Sequence, residues 1–322
     1  MVSAITKLFM FYSLKINNFM TNKIQLTFNL KGAWKNRDSE LLTASAKKLG
    51  YELVILSSYA MKEESEIPLA ILNGGGTLNE THLRYTRKLE LAGVKYLNPC
   101  YNILLAEEKI LSNLEISSLG IRVPKTIDLP IGIRNPNMSK YIEQEIGFPC
   151  IIKHPRSAIG VGIYLVKTRE DFRDIFDLLY TTSMRYMDFN NTVNLVVQEF
   201  ISTTKNKDLR VFVLDGKILG AMHRENPIGW NVKRVEWAPG FPETHADIIY
   251  TNFDVDAEVA TNCINICNKL GLRFAGLDIL FGNEYDKYIY GEINPCPGLN
   301  NFNNLRPDIN LPDKILKSLL EI

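Results

Sequence analysis

The chain has 322 residues, 46% of them hydrophobic and 23% charged, and a net charge of +1. This is the composition of a globular protein long enough for two or three lobes, and its near-neutrality excludes a general nucleic-acid or membrane-surface binder, so a charge-recognised partner must be small. The cysteines Cys100, Cys150, Cys263, Cys267 and Cys296 are odd in number and lack CxxC or histidine spacing, which reads as a reducing, cytoplasmic setting.

In chain order, the opening MVSAITKLFMFYSLKINNFM is interrupted by Lys7 and Lys15 and has no small-residue cleavage pattern. It reads as neither a signal peptide nor a membrane span, and residues 1–22 are taken as an N-terminal extension. From Lys23 the pattern alternates: strand IQLTFNL, helix Ser39 to Leu49, strand YELVILSS, strand IPLAILNGGG, helix Asn79 to Leu91. The alternation predicts a parallel sheet with right-handed crossovers, an N-terminal α/β domain over residues 23–124. A single long helix is expected from Tyr101 to Leu119, stopping at Gly120. The stretch RVPKTIDLPIGIRNPN then marks a change of lobe.

A central lobe over 125–197 is expected to hold a helix (Ser139 to Glu145), a strand (Phe148 to His154), a glycine-rich turn and a strand (Ile163 to Lys167). A helix (Arg169 to Tyr180) and a strand (Asn194 to Phe200) follow. Over 198–322 hairpin patterns dominate, as in DLRVFVLDGKILGAMH with its Asp215-Gly216 turn, so this α+β lobe is built on an antiparallel sheet. Cys263 and Cys267, four apart on a helix, read as core packing rather than metal ligands.

The chemistry concentrates late in the chain. FAGLDILFGNEYDKYIYGEIN reads as one hairpin, Phe274 to Phe281 and Lys287 to Asn294. Alternation puts Glu292 and Asn294 on one face, with Asp278 opposite Tyr290 or Glu292. Two carboxylates in an apolar hairpin repel unless a cation lies between them, and oxygen donors favour Mg²⁺ or Mn²⁺ over zinc. Upstream, GFPCIIKHPRSAIGVGIYLV places Lys153 at a strand end before a loop with Ser157, Gly160 and Gly162, small enough for backbone N–H groups to approach phosphate oxygens. LVVQEFI carries Gln198 and Glu199, and KDLRVFVLDGK puts Asp208 and Arg210 on one strand face, suited to a ribose hydroxyl and a phosphate or else to a surface ion pair. The segment HRENPIGWNVKRVEWAPG sets Arg224, Lys233 and Arg234 beside Trp230 and Trp237, a composition that suits an anionic carboxylate. The histidines His82, His154, His223 and His245 form no metal or triad spacing.

In order, Lys109 in AEEKILS, Lys153, VVQEFI, DLR, LDIL and EINPCPG resemble the ATP-grasp superfamily, within it the ribosomal protein S6 modification enzyme-like (RimK-like) carboxylate–amine ligases. The resemblance runs over residues 98 to 300 and implies a three-lobe α/β and α+β fold, with the central lobe as a lid. It implies that Lys109, Lys153 and the loop of Ser157, Gly160 and Gly162 bind ATP phosphates. The hinge of Gln198, Glu199, Phe200 and Ile201 would contact adenine and Asp208 ribose, with Asn231 on the phosphate or metal side. Asp278, Glu292 and Asn294 would hold two Mg²⁺ (or Mn²⁺), and Arg210 and Arg234 would stabilise the transferred group. The implied reaction joins a small-molecule or peptide carboxylate to an amine through an acylphosphate, without nucleic acid or membrane, and a homo-oligomer is compatible with it. A peptide-modifying ligase making ester or amide crosslinks and a non-ligating ATP-binding scaffold are the alternatives. Val235-Glu236 stand where the family usually has a glycine pair, so the family's substrate preferences are not carried over to this chain.

Overall fold

The structure, a computed structural model, describes residues 22–28, 37–57, 68–73, 80–130, 135–156, 163–186, 194–202, 207–225, 248–282 and 287–321. Strands β1 (Lys23–Phe28), β2 (Glu52–Ser57), β3 (Ala70–Asn73) and β4 (Lys95–Tyr96) form a parallel sheet in the order β2-β1-β3-β4. Helices α1 (Arg37–Lys48) and α2 (Glu80–Leu91) connect them. Ile24 through Thr27 are all buried, as expected of a central parallel strand covered on both faces.

The single helix expected over 101–119 is two helices, α3 (Cys100–Glu107) and α4 (Lys109–Ser117). Glu108 between them is extended (φ −84°, ψ 109°), and its carboxylate accepts a hydrogen bond from the Leu111 N–H at 2.6 Å. It is thus an N-cap that the apolar periodicity of the segment concealed. Lys109 becomes the first residue of α4, and its backbone N–H donates to the Pro155 carbonyl at 3.1 Å.

A second sheet has the order β5-β8-β6-β7, from β5 (Thr126–Pro130), β6 (Cys150–Lys153), β7 (Tyr164–Val166) and β8 (Asn194–Glu199), antiparallel at each pairing. Helices α5 (Met138–Glu145) and α6 (Arg169–Tyr186) cover it, burying Met138, Ile142, Phe172 and Phe176 against Ile152 and Val197.

The third sheet, β11-β10-β9-β12-β13, is antiparallel throughout: β9 (Lys207–Leu214), β10 (Lys217–Glu225), β11 (Ile249–Phe253), β12 (Phe274–Phe281) and β13 (Tyr288–Asn294). Asp215 and Gly216 both have positive φ, 47° and 69°, as a two-residue hairpin turn requires. One face of this sheet packs on α7 (Ala257–Leu270), whose Val259, Cys263, Ile266, Cys267 and Leu270 are buried at helical spacing, so both cysteines are core residues. On the other face Phe212, Leu214 and Phe274 join Ile24 and Leu26 of β1 in one core. α8 (Asn300–Leu305) and α9 (Leu311–Leu320) close it with Phe302, Leu316 and Leu319. Among the described residues no helix is long and apolar enough to cross a membrane.

Candidate active site

The face of the third sheet that carries Phe212 and Leu214 turns polar further along the same strands. Asp208 and Arg210 share that face of β9 with them, and Asp278 on β12 stands directly across from Arg210. On the other side of Asp278, the register with β13 depends on a bulge: Ile279 pairs with Tyr290, but Asp278 pairs with Glu292, leaving Gly291 as the extra residue. Under strict alternation Glu292 would follow Tyr290 into the core. The bulge keeps Tyr290, 1% exposed, among the residues that meet α7, and puts Glu292 and Asn294 on the face of Asp278. Of the two registers expected for the hairpin, the one facing Asp278 with Glu292 is observed.

The polar groups neutralise one another. Arg210 donates to Asp278 through Nε and Nη2, both at 2.6 Å. Arg224, at the end of β10, donates to Asp208 at 2.5 and 2.8 Å and reaches Asp278 Oδ2 at 3.0 Å. The pair Asp208 and Arg210 is therefore not an ion pair with itself, and neither side chain lies open on the surface. The Asn294 amide N–H donates to Asp278 Oδ2 at 3.2 Å. Burial would raise the Asp278 carboxyl, but the two guanidiniums outweigh it and hold the group at about 2. Burial likewise opposes the charge on Arg224, and Asp278 and Asp208 outweigh it, holding this guanidinium above its ordinary value. The cation that two close carboxylates demand is thus supplied in part by the protein: Asp278 has the arginines, and Glu292 has Lys109 at 3.3 Å.

Lys109 reaches Glu292 because the break at Glu108 starts a new helix there. Lys153, 7% exposed at the end of β6, donates to Gln198 Oε1 at 2.6 Å, and Gln198 Nε2 donates onward to the Thr126 hydroxyl at 2.8 Å. Burial, assisted by Lys109 and opposed by Glu292, lowers the Lys153 ammonium to about 8. Lys109, Lys153, Gln198, Asp208, Arg210, Asp278, Glu292 and Asn294 are therefore linked around one region. At the end of β8 the Glu199 carboxylate is turned to Arg122 Nη2, at 2.8 and 2.9 Å, and to the Lys125 N–H at 3.1 Å. Glu199 pairs with Cys150 at the start of β6, and Phe200 and Ile201, which follow β8, are half-buried. Ser157, Gly160, Gly162, Asn231 and Arg234 lie outside the described residues, as do Trp230, Lys233 and Trp237.

Two residues of this region were not assigned to it from the sequence. Arg224 reads as part of the tryptophan-rich segment, yet its guanidinium turns back onto the sheet. The reason is a second bulge: Ile218 pairs with Val213 but Gly220 with Phe212, which shifts Arg224 into register with Asp208. Arg122 sits in the connection before β5, far from QEFI in the sequence, and carries no motif.

A parallel α/β sheet, an antiparallel α/β layer and an antiparallel sheet with a charged face define the three-lobe ATP-grasp architecture. Residues 106–319 match the RimK-like ATP-grasp domain, and the chain belongs to that family of carboxylate–amine ligases. A protein of Psychromonas ingrahamii named a probable alpha-L-glutamate ligase is 26% identical over 213 residues, 66% of this chain and 63% of its own length. This chain thus spans less than two thirds of that relative. Among solved structures, a RimK domain ATP-grasp protein from Sphaerobacter thermophilus superposes with a TM-score of 0.67 at 16% identity, covering 92% of this chain and 98% of the other. The ATP-grasp ligase PsnB, complexed with its minimal precursor, gives 0.65 at 15% identity over 92% and 99%.

Proposed function

We propose that the chain is an ATP-dependent ligase that joins a carboxylate to an amine, forming an amide through an acylphosphate and releasing ADP and phosphate. The observation that carries this reading is the meeting of the buried Lys109 and Lys153 with the face that carries Asp278, Glu292 and Asn294. Two lysines that approach a carboxylate pair from separate elements suit a polyphosphate neutralised from both sides. Adenine would lie along 199–201, with Gln198 and Lys153 beneath it. Asp208 would reach a ribose hydroxyl by giving up a contact to Arg224.

Asp278, Glu292 and the Asn294 carbonyl form an all-oxygen set that fits Mg²⁺ or Mn²⁺. Among the described residues no group of three or more His, Cys, Asp or Glu side chains is placed to hold a metal ion by itself, so phosphate oxygens and water would complete the coordination. The metal would supply charge neutralisation on the phosphoryl oxygens. The chain's own part is positioning: the lysines fix the phosphates, and Arg210, with Arg234, offsets charge on the transferred group and on the carboxylate that attacks it in line.

The test is the nucleotide product, measured with Mg²⁺ and a panel of acids and amines that begins with L-glutamate, the amine suggested by the relative's name. ADP with inorganic phosphate is expected, lost in Glu292→Gln with the fold intact. AMP with pyrophosphate would move the attack to another phosphorus, and bound ATP without turnover across the panel would make the chain a scaffold.

A further inference from the structure

The charged face contains more internal cation than a metal site needs. We infer that Arg224 is a positioning residue that acts as a built-in counter-cation, closing the metal side of the site to a bare divalent ion until an anionic nucleotide is present. The inference rests on the proposed metal role of Asp278, Glu292 and Asn294.

Asp278 has two oxygens, and three ion-pair contacts converge on them: Arg210 Nε at 2.6 Å on Oδ1, Arg210 Nη2 at 2.6 Å and Arg224 Nη2 at 3.0 Å on Oδ2. The Asn294 amide adds a fourth polar contact, also on Oδ2. Asp278 and Asp208 against Arg210 and Arg224 make a neutral quartet, and Glu292 against Lys109 makes a neutral pair. The arginine side chains are 14% and 19% exposed, so water screens them weakly. A divalent ion placed between Asp278 and Glu292 would therefore meet two guanidiniums and an ammonium already satisfied there. It gains little unless an anion arrives to receive the displaced cations. A nucleotide polyphosphate is such an anion, so metal loading follows or accompanies nucleotide.

Arg224 is the member that can be removed with a distinct signature. It is fixed from both sides: its Nε and Nη2 hold Asp208, its Nη2 also holds Asp278, and Tyr250 of β11 stands across from it. Its loss changes the quartet from neutral to one net negative charge while leaving the proposed donors in place. Ordinary structural damage weakens metal binding, whereas loss of this counter-cation strengthens it.

The experiment is a Mn²⁺ titration of the full chain, followed by water-proton relaxation, with and without a non-hydrolysable ATP analogue. The wild type is expected to bind Mn²⁺ weakly alone and tightly with the analogue. Arg224→Gln is expected to bind Mn²⁺ alone roughly ten- to a hundredfold more tightly than wild type. Arg224→Lys keeps the charge and should stay near wild type. Arg224→Gln combined with Asp208→Asn restores neutrality and should return to weak binding. Equal affinity of Arg224→Gln and wild type, with normal analogue-dependent binding in both, overturns the counter-cation while sparing the metal assignment. A wild type that binds no Mn²⁺ even with the analogue removes the metal assignment and this inference together.

Discussion

Replacing Asp278 by asparagine tests how much of the stability resides in the charged face. Asp278 is held at about 2 against an ordinary 3.8, and at more than about 1 kcal/mol per pKa unit this amounts to about 2–3 kcal/mol of folding stability. The structure gives a second route to the number. In the variant Arg224 retains Asp208, but Arg210 loses both of its carboxylate contacts. Breaking a buried pair by removing one partner costs about 3–5 kcal/mol, so a loss of about 2–4 kcal/mol is expected at pH 7. The pH dependence follows from the sign of the shift. A carboxylate depressed by folding contributes fully above its unfolded value, and the contribution disappears as pH falls from 3.8 through about 2. Urea denaturation followed by circular dichroism should therefore show a gap between wild type and Asp278→Asn that is largest at neutral pH and narrows below pH 4. Equal stability at pH 7, or a gap constant down to pH 2, would refute the reasoning.

Lys153→Met should be at least as stable as wild type at pH 7 and should bind ATP far more weakly. Burial lowers this lysine to about 8 from 10.5, so its charged form is disfavoured in the fold and wild-type stability rises with pH across that interval. Thermal melts from pH 7 to 10 should show the rise in wild type and its absence in the variant. Gly276→Ala should cost about 1–3 kcal/mol, because the added Cβ would lie 2.8 Å from Pro297 Cβ and 3.3 Å from Arg210 Cδ. The same melts should show it, and an unchanged midpoint would mean that the turn carrying Pro297 yields freely.

Much of this site could be read from the chain, and the parts that could not share a cause. Ordinary periodicity locates the hairpin of Asp278 and Glu292, the strand end at Lys153 and the Asp215-Gly216 turn, because each depends only on local pattern. The break before Lys109 depends on one capping carboxylate within an apolar helical run, which periodicity averages away. The two bulges depend on pairings between strands. Counting back from the Asp215-Gly216 turn without a bulge would set His223, rather than Arg224, against Asp208. The extra residue near Gly220, whose φ is 152°, reverses that, and the extra Gly291 does the same for Glu292. Each bulge moves one charged side chain onto the face where its partners stand, and the local signal for each is the lone glycine within its strand, Gly220 and Gly291.

That placement determines the electrostatic character of the region. Three carboxylates, Asp208, Asp278 and Glu292, stand against four cations, Lys109, Lys153, Arg210 and Arg224. Three of the cations have carboxylate partners within 3.3 Å, whereas Lys153 donates to the neutral Gln198. The positive remainder therefore falls on Lys153, a buried lysine whose charge is disfavoured by desolvation, at the strand end that leads into the Ser157 to Gly162 segment. An ammonium lowered to about 8 is still mostly charged at neutral pH, and an arriving anion that neutralises it would also remove the burial penalty it carries. The fold thus stores an unfavourable charge at the place where, on the proposed reading, the nucleotide's phosphates bind, and part of the affinity for that anion comes from relieving it. Nucleotide affinity should accordingly fall as pH is raised through about 8 in wild type and lose that dependence in Lys153→Met.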